Sequence, residues 1–552
     1  MIATDSTVTD STVTANELSY AAGPVDTPLE ELTVYAVLRR AADRDPRRVA
    51  IIEHTTGQSW TYAELVRAVD LCSTGLYAAG VRSGDRVGIW STNCADWPIV
   101  QFATARLGAV LVTINPAYRE GELSYALRKV GVSTLVRGVS FKDVAYGEML
   151  DHVRSQCPDL RAVFELGGPE WSIVRAGAHE HEDAVATIAN GLHPNDAINI
   201  QFTSGTTGSP KGATLSHRGI VNNARYFGDG LHYTTQDRVC VPVPFYHCFG
   251  MVMGTLSVTY HGATMVIPGP WFDPVQTLEA VARYRCTSLY GVPTMFIAEL
   301  EVLDAREDID ISSLRTGIMG GSPCPVEAMR RVIDDMGMSE VTICYGMTEN
   351  SPVATQTKVD DDIYRRTETI GLPLPHMEVA VKDPVTGRLV PRGEIGEICL
   401  RAYSVMLGYW EDEEKTKEVI EEDGWLRTGD LAVMDEHGYL AAVGRLKDMI
   451  IRGGENIYPR EVEECLVTHP DIVDAQVVGV PDERMGEELV AWLMLRVGAE
   501  QLDAAAVRSF CETRLSRHKV PRYVRVVQEF PMTVTGKVQK NVMREVSRSE
   551  LA

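Results

Sequence analysis

From about residue 30 to residue 440, short runs rich in valine and isoleucine alternate with stretches of helical periodicity. The strand-like run RVGIW at residues 86–90, for example, precedes an alanine-rich helical stretch at residues 95–108. Regular alternation of strands and helices is typical of proteins in which helices pack in layers against sheets, so the pattern predicts an α/β fold. The 552 residues are too many for one ordinary core, and we expect two or more domains.

The pattern changes towards the C-terminal end. Shorter strand-like runs bounded by glycines, at residues 395–401 and 439–443, indicate a small β-rich subdomain. A second unit is predicted from about Arg445, with a helix at residues 459–466 that begins at a proline and a strand at residues 475–480. We therefore expect a large N-terminal domain of αβ-layered sheets with a β-rich subdomain, followed by a smaller α+β C-terminal domain.

The composition limits the possible partners and location. Hydrophobic residues at 45% and charged residues at 23% are typical of a globular protein, and the net charge of −23 argues against binding of nucleic acid. The 11 cysteines include no C-x-x-C pair and favour reduced thiols in a cytoplasm. The N-terminus has no basic start or apolar core of an export signal, so we expect a cytoplasmic location. Residues 1–28, with TDSTV at 4–8 and again at 9–13, are predicted to be a disordered tail.

One stretch is long and uncharged enough to suggest a membrane span. Residues 239–272 contain no Asp, Glu, Lys or Arg. Pro242, Pro244 and Gly262 interrupt the stretch, which favours a buried strand, turn and helix within a large core. We therefore expect no membrane span.

A phosphate-binding loop is indicated by the run TSGTTGSPKG at residues 203–212, which follows a strand-like run at 198–202. Glycines let backbone N–H groups approach a ligand closely, hydroxyls add donors, and a lysine adds positive charge. The candidate phosphate ligands are Thr203, Ser204, Gly205, Thr206, Thr207, Gly208 and Lys211. The Walker pattern fails because Pro210 stands at its second glycine, and an ordinary flexible loop is the alternative.

Further motifs follow the loop in a fixed order: YGMTE at 345–349, WLRTGD at 425–430, GRLKD at 444–448, GGENIYP at 453–459 and PMTVTGK at 531–537. Together with the loop, this set resembles the adenylate-forming superfamily of acyl-CoA synthetases, luciferases and nonribosomal peptide synthetase adenylation domains, over about residues 30–545. The stretches PFYHCFG at 244–250, GSPCP at 321–325 and IRGGENIYPR at 451–460 are most similar to bacterial medium- to long-chain fatty-acyl-CoA synthetases.

The resemblance implies a ligase that uses ATP to activate a fatty or similarly apolar carboxylic acid as an acyl-adenylate. The acyl group would then pass to coenzyme A, with release of AMP and pyrophosphate. Magnesium and cationic side chains would neutralise the charge that develops on the phosphates. The expected ligands are thus ATP, Mg²⁺, coenzyme A and a small-molecule acid.

The resemblance also assigns roles to individual residues. Glu349 would bind magnesium and Thr348 a phosphate oxygen, while His247 would gate the carboxylate and Lys537 would bridge the carboxylate and the α-phosphate. Residues 290–296 would form the acyl wall. The nucleotide would further contact residues at the adenine edge and a ribose clamp: Gly321, Ser322, Tyr345, Gly346, Asp430 and Arg445.

In the family, one active site serves two half-reactions because the small domain rotates. The resemblance implies domain limits of 29–444 for the N-terminal adenylation domain, 445–448 for a hinge that includes Lys447, and 449–552 for a mobile C-terminal domain. After adenylation, Lys537 would leave the site, and Gly453 and Gly454 would move against the pantetheine tunnel.

Other functions are compatible with the motifs. The enzyme could load an aryl acid onto a carrier protein, or activate a non-carboxylate oxyanion such as nitrite. With only a dozen residues after Lys540, we expect the acyl acceptor to be a separate molecule. A catalytically retired nucleotide-binding regulator is the alternative of another class, although every charged catalytic position is filled. The run HEHED at 179–183 lacks metal-site spacing and is predicted to be a solvated loop.

Overall fold

The computed structural model describes residues 17–142, 144–203, 210–322, 324–496, 498–499, 502–532 and 538–551. Within these ranges the α-helices are α1 (Val34–Arg44), α2 (Tyr62–Ala78), α3 (Asp96–Leu107), α4 (Glu120–Lys129), α5 (Tyr146–Val153), α6 (Pro169–Ala176), α7 (Glu182–Gly191), α8 (His217–Gly230), α9 (Ser257–His261), α10 (Pro274–Tyr284), α11 (Pro293–Ala305), α12 (Val326–Asp334), α13 (Ile363–Glu368), α14 (Glu413–Val419), α15 (Pro459–Val467), α16 (Ala504–Glu512) and α17 (Lys540–Leu551).

The strands are β1 (Tyr20–Ala22), β2 (Val49–Glu53), β3 (Ser59–Thr61), β4 (Arg86–Trp90), β5 (Val110–Thr113), β6 (Thr134–Arg137), β7 (Ser140–Phe141), β8 (Val144–Ala145), β9 (Ala162–Glu165), β10 (Ala197–Thr203), β11 (Lys211–Ser216), β12 (Arg238–Cys240), β13 (Thr264–Ile267), β14 (Ser288–Gly291), β15 (Thr316–Gly320), β16 (Glu340–Gly346), β17 (Val353–Gln356), β18 (Leu372–Pro373), β19 (Met377–Lys382), β20 (Gly396–Ala402), β21 (Gly408–Tyr409), β22 (Leu426–Met434), β23 (Leu440–Arg445), β24 (Ile450–Arg452), β25 (Glu455–Ile457), β26 (Ile472–Asp482), β27 (Gly486–Leu495) and β28 (Tyr523–Val527).

Two mainly parallel sheets form the large domain. One has the order β21-β11-β10-β5-β4-β6-β9, and the other has the order β18-β17-β16-β15-β14-β12-β13-β2-β3. Their central strands are apolar and largely buried, as expected for parallel strands covered on both faces. Helix α3 is buried at every residue from 97 to 107, within a core cluster that also includes strand residues of both sheets. The predicted αβ-layered architecture is confirmed.

A third sheet, antiparallel throughout with the order β1-β19-β20-β22-β23, is the predicted β-rich subdomain. Its edge strand corrects one prediction. Residues 20–22 fall inside the predicted disordered tail, yet they form β1, where Tyr20 pairs with Ala380 and Ala22 with Glu378. Their backbone groups pair with the edge of the sheet, which orders the segment. Residues 1–16 lie outside the described ranges.

The C-terminal unit contains a separate sheet with the order β25-β24-β27-β26, and β28 pairs with β27. It has its own apolar core, which includes Ile450, Val462 and Leu493. The predicted α+β character is confirmed. Strand β23 ends at Arg445 and β24 begins at Ile450, on either side of the segment predicted as a hinge.

The uncharged stretch lies in the core of the large domain. It contains most of β12, a π-helix at Phe249–Leu256, helix α9 and strand β13. Every residue of the π-helix is buried. Among the described residues, no helix combines the length and the apolar character needed to cross a membrane.

The histidine-rich run forms a short 3-10 helix, His179–His181, followed by α7. Glu182 forms an ion pair with the buried Arg106 of α3. Arg106 Nε also lies 3.4 Å from Asp70 Oδ1. The described residues contain no cluster of three or more histidine, cysteine or acidic side chains suited to a metal ion. The run therefore anchors α7 against α3.

Candidate active site

A cavity of about 1160 Å³ lies where strands of both parallel sheets meet the β-rich subdomain and the C-terminal unit. It brings together most of the residues that the sequence singled out, from positions more than two hundred residues apart. Those that line it are Thr203, Lys211, His247, Gly321, Ser322, Tyr345, Gly346, Thr348, Glu349, Asp430, Arg445 and Lys447.

The predicted ribose clamp is a pair of opposite charges on neighbouring strands. Asp430 of β22 stands opposite Arg445 of β23 in the antiparallel register, and Arg445 Nε lies 3.1 Å from Asp430 Oδ1. The Tyr345 hydroxyl donates a hydrogen bond of 2.8 Å to Asp430 Oδ2. Burial, reinforced by Asp430, raises the pKa of Tyr345 well above its ordinary value, so the phenol remains a donor. Both carboxylate oxygens are thus held in place.

Glu397, to which the sequence analysis gave no role, fixes the irregular part of β22 just before Asp430, where the β20–β22 register shifts. Its side chain is buried and lines the cavity. Oε1 accepts a hydrogen bond of 3.0 Å from Gly429 N, and Oε2 lies 2.6 Å from Arg427 Nη2. Gly429 has a φ of 73°, a conformation that glycine adopts without strain. A glutamate in an otherwise apolar strand, residues 395–400, was the signal for a buried polar role.

Thr348 and Glu349 begin a 3-10 helix, Thr348–Asn350, just beyond the carboxyl end of β16. The backbones of Gly346 and Pro352 come close together here, since a Cβ on Gly346 would lie 1.9 Å from the carbonyl oxygen of Pro352. Glu349 is only 6% exposed, and its Oε1 accepts a hydrogen bond of 2.9 Å from the Tyr409 hydroxyl. The Thr348 hydroxyl lies 3.6 Å from Cys248 Sγ.

The phosphate loop connects β10 and β11, in which Thr203 stands opposite Lys211. Ser204, Gly205, Thr206, Thr207 and Gly208 lie outside the described residues, whereas both flanks of the loop line the cavity. Lys211 Nζ lies 4.8 Å from the centroid of the Tyr409 ring. The base of the loop is therefore directed to the same cavity as Glu349.

His247 lies just before the π-helix and lines the cavity. Its Nδ1 accepts a hydrogen bond of 3.1 Å from Phe249 N, so the neutral ring carries its proton on Nε2. Phe249 and Met253 continue the cavity wall as an apolar surface. Tyr290 does not line the cavity; it is fully buried behind Phe249, with ring centroids 5.8 Å apart. Residues 290–296, predicted to form the acyl wall, are not among the lining residues; the apolar lining next to His247 comes from Phe249 and Met253, with Tyr290 packed behind Phe249.

The C-terminal unit contributes Arg460, Met532 and Gln539 to the lining. Met532 pairs with Val538 in an antiparallel bridge, and Gln539 N donates to the carbonyl of Pro531 at 2.8 Å. Lys537 itself lies outside the described residues, but the chain on both sides of it is next to the cavity. Arg460 was also missed, because its contact is made across the two domains.

Two other predicted residues lie away from the lining. Gly453 and Gly454, with φ of 62° and 88°, form the turn between β24 and β25. Lys447 does line the cavity, within the 3-10 helix Leu446–Asp448, and burial lowers its pKa. Arg544 of α17 forms an ion pair with Asp448 beside it. The candidate hinge is therefore held by the last helix in this arrangement.

Comparison with known proteins agrees with this geometry. The model of the AMP-binding enzyme family matches residues 38–410, and that of the AMP-binding enzyme C-terminal domain matches residues 461–537. The "Putative acyl-CoA synthetase YngI" of Bacillus subtilis is 44% identical, over 93% of this chain and 96% of that protein. The mitochondrial medium-chain acyl-CoA ligase ACSF2 of Danio rerio is 43% identical, over 97% of this chain and 91% of that protein.

Among solved structures, ATP-bound MatB from Rhodopseudomonas palustris aligns with a TM-score of 0.85 at 31% identity, over 94% of this chain and 100% of that one. Apo MatB aligns over the same shares with a TM-score of 0.74. The resemblance inferred from the ordered motifs is confirmed. The chain belongs to the AMP-binding enzyme family, with acyl-CoA synthetases as its relatives.

Proposed function

We propose that the chain activates a medium-chain fatty acid, or a similarly apolar carboxylic acid, with ATP and transfers the acyl group to coenzyme A. The products are acyl-CoA, AMP and pyrophosphate. The observation that carries the proposal is the shared cavity. It combines a paired carboxylate and arginine, a lysine and a buried glutamate, and an apolar wall behind a histidine.

The nucleotide end is built around Asp430. A carboxylate held between Arg445 and Tyr345 keeps acceptor capacity on both oxygens for the two ribose hydroxyls. Tyr345 contributes an aromatic face for adenine, and Gly321 and Ser322 follow the carboxyl end of β15 at the adenine edge. Nucleotides bind at this edge of parallel sheets in many α/β proteins.

The phosphates require positive charge in a chain whose net charge is −23. Lys211 lines the cavity and can supply it, and the family resemblance assigns the second cation to Lys537. Glu349 and Thr348 offer the hard oxygen ligands that magnesium prefers, and the bound ion would neutralise charge on the phosphate oxygens. Asp430 and Glu349 are both held by tyrosine hydroxyls, so neither carboxylate is free to turn towards the lysines.

The acid end is apolar. Phe249 and Met253 line the cavity from the buried π-helix, and His247 lies just before that helix, where the resemblance assigns the group that gates the acid's carboxylate. An apolar wall favours an acid with an alkyl chain over an acid whose tail carries a further charge, because burial of apolar surface is favourable. The medium-chain ligase ACSF2, at 43% identity, supports the same chain-length class.

The described arrangement suits the first half-reaction. Residues on both sides of Lys537 border the cavity. The structure is also more similar to ATP-bound MatB, with a TM-score of 0.85, than to apo MatB, with a TM-score of 0.74. For the second half-reaction, rotation about residues 445–448 would withdraw this segment and present Gly453 and Gly454 to the pantetheine arm.

The direct test is pyrophosphate release from ATP with octanoate, benzoate or nitrite, with and without coenzyme A. We expect octanoate to elicit pyrophosphate, and octanoyl-CoA to form in amounts equal to AMP when coenzyme A is present. Release with benzoate alone, independent of coenzyme A, would favour loading of a carrier protein. Release with nitrite alone would contradict activation of a carboxylate, and ATP binding without any release would indicate a regulator.

A further inference from the structure

Tyr409 contacts two groups that are expected to bind magnesium-bound ATP: Glu349, the candidate magnesium ligand, and Lys211, the candidate phosphate ligand. Its hydroxyl donates a hydrogen bond of 2.9 Å to Glu349 Oε1, and Lys211 Nζ lies 4.8 Å from the centroid of its ring. Both Tyr409 and Glu349 are nearly buried, at 7% and 6% exposure. One side chain thus contacts the candidate metal ligand through its hydroxyl and the phosphate-loop lysine through its face.

The backbone holds Tyr409 rigidly in that position. Strand β21 pairs with β11, so that Tyr409 stands opposite Ala213, two residues after Lys211. The flanking residues are also bonded: Met406 N donates to the carbonyl of Glu349, and Trp410 N donates to the carbonyl of Gly212, each at 2.8 Å. The segment therefore connects the backbone of Glu349 to the start of the strand that carries Lys211.

Each contact restricts a charged group without cancelling its charge. The hydroxyl occupies Oε1 of Glu349, which fixes the carboxylate and leaves its charge available to a cation. An ammonium group over an aromatic face is attracted by the ring's quadrupole, yet it keeps its charge for a phosphate. In contrast, a direct ion pair between Lys211 and Glu349 would remove both groups from the ligand.

We propose that Tyr409 is a positioning residue that keeps Glu349 and Lys211 apart and orients both of them for magnesium-bound ATP. The proposal rests on the proposed function in one respect only, that ATP is the nucleotide bound. It concerns binding of the nucleotide and its metal, and it is independent of which acid is activated.

The test is equilibrium binding of α,β-methylene-ATP by calorimetry, as a function of magnesium concentration and in EDTA. Tyr409→Phe keeps the ring and removes the hydroxyl. Tyr409→Phe should raise the magnesium concentration at which the tightening of analogue binding is half-maximal by about tenfold, because a hydrogen bond to a charged group is lost. In EDTA, the Kd for the analogue should stay within about twofold of the parent's, because the ring still faces Lys211. Tyr409→Leu also removes the ring, and it should weaken binding in EDTA by about three- to tenfold.

Tyr439→Phe is the matched control. Tyr439 is also buried and also donates to a buried carboxylate, Asp361 Oδ1 at 2.6 Å, but it does not line the cavity. This variant should bind the analogue as the parent does under both conditions. In a Glu349→Gln background, Tyr409→Phe should have little further effect on the magnesium dependence, because the hydroxyl acts through that carboxylate.

An unchanged magnesium dependence in Tyr409→Phe would overturn the proposal, as would an equal shift in Tyr439→Phe. Thermal midpoints of all variants separate loss of folding from loss of positioning. A protein that binds the analogue as expected but activates no acid would contradict the proposed function and leave this inference standing.

Discussion

Asp430 shows how this site arranges a charge for a ligand. Its two oxygens contact Arg445 Nε at 3.1 Å and the Tyr345 hydroxyl at 2.8 Å, while Glu397 holds the preceding Gly429. A carboxylate fixed in this way would lose little rotational freedom on accepting the hydroxyls of the proposed ribose, which would favour binding. The same carboxylate also stabilises the adjacent end of β23 through Arg445.

Asp430→Asn keeps the shape of the side chain and removes its charge. The amide has one acceptor oxygen, so it can accept from only one of the two present donors, Arg445 and Tyr345. We therefore expect the KM for ATP to rise about tenfold, as for loss of a charge-assisted hydrogen bond. The maximal rate of pyrophosphate release should change much less. Asp435→Asn is the control, because Asp435 caps the same hairpin through Tyr439 N and His437 N and does not line the cavity.

Helices α1 and α8 are joined at their N-termini by a buried histidine. His217, the first residue of α8, accepts a hydrogen bond of 3.0 Å at Nδ1 from Val34 N, the first residue of α1. It is fully buried, and its Nε2 has no partner among the described residues. Burial lowers the pKa of His217 from 6.5 to about 4.

This depressed pKa predicts a pH-dependent stability. Above pH 6.5 the histidine is neutral in both states, whereas between pH 6.5 and 4 the unfolded chain binds a proton that the folded chain excludes. The folded state should therefore lose about 2 kcal/mol from this group between pH 7.5 and 5. His217→Asn retains an acceptor for Val34 N and does not titrate, so its urea midpoint should fall less over that interval. Identical pH dependence in both proteins would refute this assignment.

The elements themselves could largely be predicted from the sequence, since strands β4 and β10 and helices α3 and α15 lie within a residue or two of their predicted limits. Local periodicity and capping determine such elements. Tyr409 and Arg460 could not be found in this way, and Glu397 was marked only by its place in an otherwise apolar strand. Tyr409 meets Glu349 across 60 positions only because β21 pairs with β11, and no local pattern specifies such a pairing.

At the scale of the whole molecule, Arg460 makes a contact between the C-terminal unit and the β-rich subdomain. Arg460, the second residue of α15, reaches out of the C-terminal unit and donates from Nη1 to the carbonyl of Ala442 in β23 at 2.6 Å. It also lines the cavity that Asp430 and Arg445 line. A hydrogen bond that exists in only one arrangement shifts the equilibrium towards that arrangement by its own free energy.

Arg460→Ala should therefore slow adenylation without impairing the second step. We expect single-turnover pyrophosphate release to fall about five- to tenfold, and thioester formation from supplied octanoyl-adenylate to stay within about twofold of the parent. Arg496→Ala removes a similar arginine–carbonyl bond, Nε to Pro470 O at 2.8 Å, inside the C-terminal unit, and should leave both steps intact. Lys537→Ala should abolish the first step and spare the second. Equal loss of both steps in Arg460→Ala would contradict the proposal that this contact belongs to the adenylating arrangement alone, and would mean that it stabilises the fold as a whole.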